Sequence, residues 1–368
     1  MIKYLGSKRT LIPVLGAIAR AVEARSALDL FSGTTRVSQE FKKSDIEVTA
    51  VDSATYAYIL AQCYVETDAS SIDLAELNEM LALLSALPGK RGYFTEVFCE
   101  ESRFFQPKNG MRVDAIRDYL EEHLKSSPLY PVLLTSLMLA ADRVDSTTGV
   151  QMAYLKQWAP RAYNDLELRV PDLLSGVGHA LQGDALEVVD AVGPFDLAYL
   201  DPPYNQHRYF TNYHIWETLV RWDQPEYYGV ACKRIDSRDP STKSRFNLKR
   251  EMPDALHSVI SRVSAEVVVV SYNNESWVSA QSIRDWLFEA GHERVELLDF
   301  DSKRYVGAQI GIFNPSGEKV GKVSHLRNTE HVLIAGPHER VESAVAAVSA
   351  KSAQPDQLDF DSMQTVRA

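Results

Sequence analysis

Short apolar runs alternate with stretches of helical period at both ends of the chain. Residues 27–31, Ala-Leu-Asp-Leu-Phe, predict a buried strand. Gly33 follows, then a helical stretch over 34–43, and a second apolar run at 46–51 that ends at Asp52. Strand, glycine turn, helix, strand is the opening of a doubly wound sheet. The signal returns late in the chain. The run 195–200 ends at Asp201, and 266–272 holds four consecutive valines, a β-branched density that predicts a central strand. Residues 295–300 and 331–335 predict further strands, and 282–290 a short amphipathic helix before the first of them. The segment 305–326 carries Gly307, Gly311 and Gly317 and reads as a hairpin region at the carboxyl-terminal edge of the sheet.

The middle has a different period. Residues 68–175 contain long helical patterns at 74–87, 113–125 and 132–144, with no strand of comparable quality between them. The expected organisation is therefore an α/β domain in two parts, 1–67 and 176–337, interrupted by a helical insertion at 68–175. Residues 338–368 are rich in Ala, Ser, Gln and Asp. They predict one surface helix at 339–350 and then a disordered tail. The fold class is α/β: a mostly parallel, doubly wound sheet with helices on both faces.

Composition narrows the function classes. At 368 residues, 45% apolar and 24% charged, the chain is neither a fibre nor disordered, and its length suits two domains or one with an insertion. A net charge of −11 argues against a general polyanion binder, so any nucleic-acid role needs a local basic surface. One exists at 233–250. There Lys233, Arg234, Arg238, Lys243, Arg245, Lys249 and Arg250 face only Asp236 and Asp239, with serines, a threonine and an asparagine interleaved. It reads as a mobile loop able to contact phosphates, or more plainly as a solvated loop. Cys63, Cys99 and Cys232 are far apart and odd in number, which argues against disulfides or a cysteine zinc site and fits a reducing cytoplasm. His207 and His214 lack a third ligand, so no metal is expected. No run reaches the roughly 18 apolar residues of a membrane span, and the first residues lack the apolar core of a signal peptide. A cytoplasmic location is expected.

Two motifs carry chemistry. In Asp29-Leu30-Phe31-Ser32-Gly33-Thr34, a glycine directly after a strand lets the backbone turn tightly and approach a ligand, and the next helix points amides at it. Asp52, nineteen residues beyond Gly33, stands at the spacing at which an acid holds ribose hydroxyls. A single glycine is not the pyrophosphate fingerprint, so a nucleoside ligand is favoured over a dinucleotide oxidoreductase cofactor. An ordinary strand–turn–helix with a surface acid is the competing reading. The second motif is Asp201-Pro202-Pro203-Tyr204. Two prolines stop the strand and stiffen the turn, placing a carboxylate, a carbonyl and an aromatic face together at the rim where open α/β sheets bind ligands. An exocyclic aromatic amine needs such a set. Its lone pair is delocalised, and two acceptors on its N–H groups would draw it toward a nucleophilic, tetrahedral nitrogen while the tyrosine stacks on the base.

Asp-Pro-Pro-Tyr with Phe-x-Gly upstream resembles the S-adenosylmethionine-dependent DNA adenine-N6 methyltransferases. The order of cofactor motif, insertion and catalytic motif is similar to that of the Dam-like α-group. Lys3-Tyr4-Leu5-Gly6-Ser7-Lys8 resembles that group's amino-terminal motif. Gly183-Asp184-Ala185 stands where the group places an acid near the cofactor adenine, and 141–144 through 154–158 resemble the insertion of some bacterial modification methylases. The resemblance covers residues 1–336 and implies a Rossmann-like fold, double-stranded DNA as substrate, and a place in restriction-modification or epigenetic marking, with a cognate restriction endonuclease as one partner to look for. It implies that Tyr4, Gly6, Ser7 and Lys8 line the cofactor's methionine end, that Asp29, Phe31, Ser32, Gly33 and Thr34 cradle it, and that Asp52 holds the ribose. Asp184 and Ala185 would take the adenine, and Asp201, Pro202 and Tyr204 the target base.

The segment 205–217 is dense in aromatic and hydrogen-bonding groups, such as read a base turned out of the duplex. Its plainer reading is a helix start with Tyr213, Trp216 and Leu219 facing the core. Expected DNA contacts are Lys8, Asn205, His207, Arg208, Tyr209, Lys233, Arg234 and Arg245. In the insertion, Arg91, Arg103, Lys108, Arg112, Arg143 and Lys156 are scattered, and side chains such as Asn109 are candidates for base edges in the major groove. Three alternatives stay open on the residues alone: the same chemistry on cytosine N4 or RNA adenine, a catalytically idle DNA-binding module, and a nucleotide-binding oxidoreductase.

Overall fold

The computed structural model describes residues 2–4, 8–203, 206, 208–303 and 327–352. The 305–326 connection, the tail beyond 352, and Gly6, Ser7, Tyr204, Asn205 and His207 lie outside the described residues. Among those described, the main sheet has seven strands: β1 (Ser26–Asp29), β2 (Glu47–Asp52), β3 (Gly178–Gln182), β4 (Phe195–Leu200), β5 (Ala265–Asn273), β6 (Arg294–Lys303) and β7 (Arg327–Gly336). Their spatial order is β3-β2-β1-β4-β5-β7-β6. All pairs from β3 to β5 are parallel, and β7 runs antiparallel to both β5 and β6. β6 and β7 are thus the arms of the hairpin expected at the carboxyl-terminal edge.

The chain moves outward in opposite directions from β1 and β4, so the crevice at their carboxyl ends is the switch point of the sheet. Register fixes what stands there. Asp29 pairs with Ala50 and Tyr199, which brings Asp29, Asp52 and Asp201 to one rim. β1 ends at Asp29, two residues before the apolar run does. The Leu30 amide still donates to the Tyr199 carbonyl at 3.2 Å, and the chain then bends so that the Ser32 amide meets the Val51 carbonyl at 2.9 Å.

Helices cover both faces because alternate strand residues point opposite ways. Ala27, Val48, Ala50, Leu197, Tyr199, Val267, Val269 and Ile334 pack beneath α1 (Ile12–Ala21), α2 (Arg36–Lys42) and the carboxyl-terminal helix His338–Ser352. Leu28, Val51, Ala198, Leu200, Val268, Val270 and Leu333 pack against Met252–Arg262 and Ala280–Glu289. The sequence pattern did not single out β3. It is an edge strand with only two apolar side chains, and His179 on it pairs outward with Glu47 at 2.9 Å.

After α3 (Thr55–Ala61) the stretch before β3 forms α4 (Leu74–Ala86), α5 (Pro107–Tyr119) and α6 (Tyr130–Arg143). α5 starts six residues earlier than its apolar period because Pro107 opens the first turn, where its missing N–H is harmless. Their core is continuous with Tyr56 and Leu60 of α3 and with Trp216 and Leu219 of the helix His214–Arg221. Tyr213, Trp216 and Leu219 are accordingly buried, as the plainer reading of 205–217 anticipated.

Asn109 corrects an expectation. It is 1% exposed and cannot read a base. Its amide donates to the Asn164 carbonyl at 2.9 Å, and its oxygen accepts from the Leu166 amide at 3.0 Å. Arg112 is likewise structural, donating to the Leu84, Ser85 and Leu87 carbonyls that α4 leaves open at its end.

Candidate functional site

The rim of β1 and β2 is built around Gly33. Its φ of +49° is one that side-chain-bearing residues rarely adopt, and an added Cβ would stand 3.3 Å from the Tyr4 ring. Its amide donates to Asp52 Oδ2 at 2.9 Å, while Asp52 Oδ1 accepts from the Ala54 amide at 2.9 Å. Both bonds favour the ionised form, yet burial outweighs them and raises the Asp52 pKa.

Asp29 is deeper, at 1% exposed. Ser38 Oγ donates to its Oδ2 at 2.5 Å, and its Oδ1 has no partner. Burial raises its pKa from 3.8 to about 7, with the Ser38 bond opposing and the charges of Asp201 and Asp52 adding to the rise. An orphaned buried carboxylate oxygen is an acceptor waiting for a cationic or N–H-bearing ligand. The unfolded chain releases this proton near pH 4, whereas the native state keeps it to about pH 7. Stability is therefore lost as pH rises through that window. Asp29→Asn, which keeps an acceptor for Ser38, should raise the melting temperature of the ligand-free protein at pH 8 and change it much less at pH 4. Thermal denaturation at the two pH values tests this, and an equal shift at both would show that ionisation is not the cause.

Tyr4 forms the side wall. Its ring stacks on Tyr213 at 4.7 Å and on Tyr209 at 5.3 Å, and its hydroxyl lies 3.3 Å from that of Tyr56. The Tyr213 end is anchored from below. Glu217 is 2% exposed and accepts from the Thr55 amide at 3.0 Å and from Thr55 Oγ1 at 2.5 Å, where α3 begins. A carboxylate there satisfies donors that the first helical turn leaves open.

Asp201 ends β4. Lys8, 7% exposed, places Nζ 3.1 Å from Asp201 Oδ1 and 3.1 Å from Glu330 Oε2. Burial raises the Asp201 pKa to about 6. Lys8 opposes the rise and Glu330 adds to it. Near neutral pH this carboxylate is ionised, paired on one oxygen, and close to the pH at which it would lose its charge.

Tyr4, Gly33, Asp52, Tyr209 and Asp201 line a cavity of about 570 Å³. Asp52, Gln182 and Asp184 stand on its sheet side; Tyr4, Tyr209 and Asp201 stand nearer the switch point. A narrower pocket continues from it between Tyr4, Lys8, Asp29, Ser32, Thr34 and Asp201. Ala185 also lines the main cavity. Asp184 Oδ1 accepts from the Leu186 amide at 2.9 Å, so the acid is oriented by the one-turn helix that follows it. Phe31, having left the strand, meets Phe246 edge-on at 5.0 Å, and residues 241–247 close the far wall. Neither Glu330 nor Phe246 was expected. Glu330 is isolated in sequence from every motif, and Phe246 lies among the bases of 233–250 with nothing local to mark it; only their position in the fold brings them to the site.

The structure separates the expected DNA contacts. Lys8 is buried between two carboxylates and is not a phosphate contact. Tyr209 is part of the aromatic wall. Arg208 also lines the cavity and donates to the Ser237 carbonyl at 2.6 Å. Arg234 is 1% exposed, held by Asp223 at 2.6 Å and Asp236 at 2.7 Å, and cannot meet DNA. Lys233 is half-buried. Arg238, Lys243, Arg245, Lys249 and Arg250 are exposed. The segment is a set of short helical turns pinned by Arg234 rather than an open loop.

Residues 4–285 match the family of D12 class N6 adenine-specific DNA methyltransferases. The chain is 29% identical over 302 residues to the type II methyltransferase M.NlaIII of Neisseria lactamica, covering 78% of this chain and 87% of that one. It is 30% identical over 318 residues to M.FokI of Planomicrobium okeanokoites and 29% over 305 to the modification methylase StsI of Streptococcus sanguinis, again over 78% of this chain. Those alignments cover 47% and 46% of the two relatives, so the chain spans about half their length.

Proposed function

Because the chain belongs to the D12 class N6 adenine-specific DNA methyltransferases, we propose that it methylates the exocyclic amine of adenines turned out of duplex DNA, with S-adenosylmethionine as donor. The observation that carries this reading is the convergence of Asp29, Asp52 and Asp201 on one rim at the switch point of the sheet, with Asp52 and Asp201 lining the main cavity and Asp29 the narrower pocket that shares Asp201 with it. The fit to the donor rests on two features. The unpartnered Asp29 Oδ1 is a natural counter-group for a ligand carrying an ammonium, and Gly33, which lines both the cavity and the narrower pocket, lets the backbone approach a ligand there. When bound, the donor supplies a methyl group on a positively charged sulfur.

The chain's own residues do the rest. Asp52 offers its carboxylate to ribose hydroxyls, and Asp184, with Ala185 beside it, stands where the adenine end would lie. Asp201 Oδ1 is taken by Lys8, so Oδ2 is the oxygen for one amine hydrogen. The Pro202 carbonyl takes the other, and Tyr204 stacks on the base. With both hydrogens held, the nitrogen lone pair would be freed from the ring and turned toward the methyl group that the donor would supply, and the proton that the methylated amine must lose would leave from the side held by Asp201 and Pro202. Oriented reactants can contribute roughly 7–11 kcal/mol to such a step.

Expression in a host lacking adenine methylation, followed by nucleoside mass spectrometry and sequencing of modified positions, tests the reading. N6-methyladenine at a recurrent motif is expected. N4-methylcytosine, or an unmodified genome with the folded protein present, would overturn it.

Phosphate binding falls to the exposed bases. Lys249→Ala with Arg250→Ala should weaken binding to cognate and unrelated duplexes alike. The slope of log affinity against log salt should fall by about 1 for each phosphate that is no longer neutralised. A weakening confined to one sequence would assign these side chains to base reading instead.

A further inference from the structure

We propose that Glu330 is a positioning residue for methyl transfer: it holds Lys8 against Asp201 and thereby sets the pH at which Asp201 is competent. The proposal rests on the assignment of Asp201 above and extends it to a residue outside the 4–285 span of the family match.

Glu330 reaches this rim because β7 is antiparallel. It pairs across the sheet with Asn273, at the carboxyl end of β5, so the beginning of β7 lies beside the ends of the parallel strands. Its carboxylate is largely buried and meets Lys8 Nζ at 3.1 Å, and that same nitrogen meets Asp201 Oδ1 at 3.1 Å. The three side chains come from the amino-terminal segment, β4 and β7. Glu330 is absent from the residues lining the cavity, so it acts through Lys8 rather than on substrate.

A lysine bound to Asp201 alone would lower that carboxylate's pKa. A lysine shared with a second acid lowers it less, and the second acid repels the first. The Asp201 pKa near 6 reflects that balance on top of burial. Asp29 and Tyr199 also feel the charge of Asp201, and Tyr4 and Arg36 line the same narrow pocket. His331, next along β7, is paired with Asp299 at 2.7 Å.

The test is the pH profile of kcat for methyl transfer to duplex DNA. Glu330→Gln keeps an acceptor for Lys8 but removes the charge, so the acid limb should move to lower pH by about one unit. Lys8→Gln should move it to higher pH. Glu330→Ala removes one of the two acids that position Lys8 and should lower kcat about tenfold or more at pH 7.5, with the KM for donor within about twofold of wild type. A Glu330→Gln limb that coincides with the wild-type limb overturns the proposal. If that variant does not fold, a Lys8→Gln limb at the wild-type position does so instead. Asp201→Asn in the same assay separates the two claims. Wild-type turnover there sinks the catalytic assignment itself, whereas a dead Asp201→Asn with an unmoved Glu330→Gln limb sinks only the role of Glu330.

Discussion

Replacing Asp201 by alanine should lower the rate of methyl transfer roughly 10²–10³-fold, the scale seen when one preorganised polar group is removed from a reacting centre. Donor affinity should change only severalfold. The reason is geometric. Asp201 directly follows the last paired residue of β4 and is held by the Lys8 contact at 3.1 Å, so no neighbour can replace its Oδ2 at the target amine. Asp201→Asn is the sharper probe, because it keeps the volume but presents an N–H group where an acceptor is needed. Single-turnover transfer at saturating donor, beside equilibrium donor binding, separates the two effects. The wild-type rate should also fall below about pH 6, as burial has raised the Asp201 pKa to that value and its protonated form is a poorer acceptor. A rate preserved in either variant would remove Asp201 from the reaction.

Arg234→Ala should destabilise the protein by about 3 kcal/mol, the low end for breaking a buried ion pair. The guanidinium is 2% exposed, whereas Asp223 and Asp236 are each 29% exposed and can recover some hydration once it is gone. Burial opposes the arginine's charge, and bonds to both acids more than compensate, driving its pKa above the usual arginine range. These bonds tie the 223–236 segment to itself, and the same guanidinium donates to Thr218 Oγ1 at 3.3 Å on the helix His214–Arg221, which bears Glu217 and follows Tyr213. Chemical denaturation should therefore show a lower midpoint. The salt slope of DNA binding, measured where the variant remains folded, should match the wild type. A changed slope with unchanged stability would return Arg234 to the DNA interface.

That arginine marks where local reading stops. Seven bases in eighteen residues look alike along the chain, and nothing nearby distinguishes Arg234 from Arg245. Asp223, eleven residues before Arg234, turns one of them inward. Asn109 fails as a base reader for a similar reason. Its polar side chain suits a surface, but 162–166 fold over it and satisfy its amide with backbone.

Most of the sheet was written in the chain itself. The apolar run at 195–200 placed β4, the β-branched run at 266–272 placed β5, and a glycine after a strand announced the turn at 33. The same local chemistry marked Asp29, Asp52 and Asp201, because an acid at the end of an apolar strand has no packing reason to be there. Tertiary structure decided what those acids meet. Lys8 and Glu330 lie 322 residues apart, and no periodicity links them. They share a nitrogen–oxygen contact only because β7 enters the sheet in the reverse direction, carrying an acid from the start of one strand to the rim where the others end. Strand direction depends on the pairing of whole segments, and so the environment that tunes the reacting carboxylate is a property of the fold.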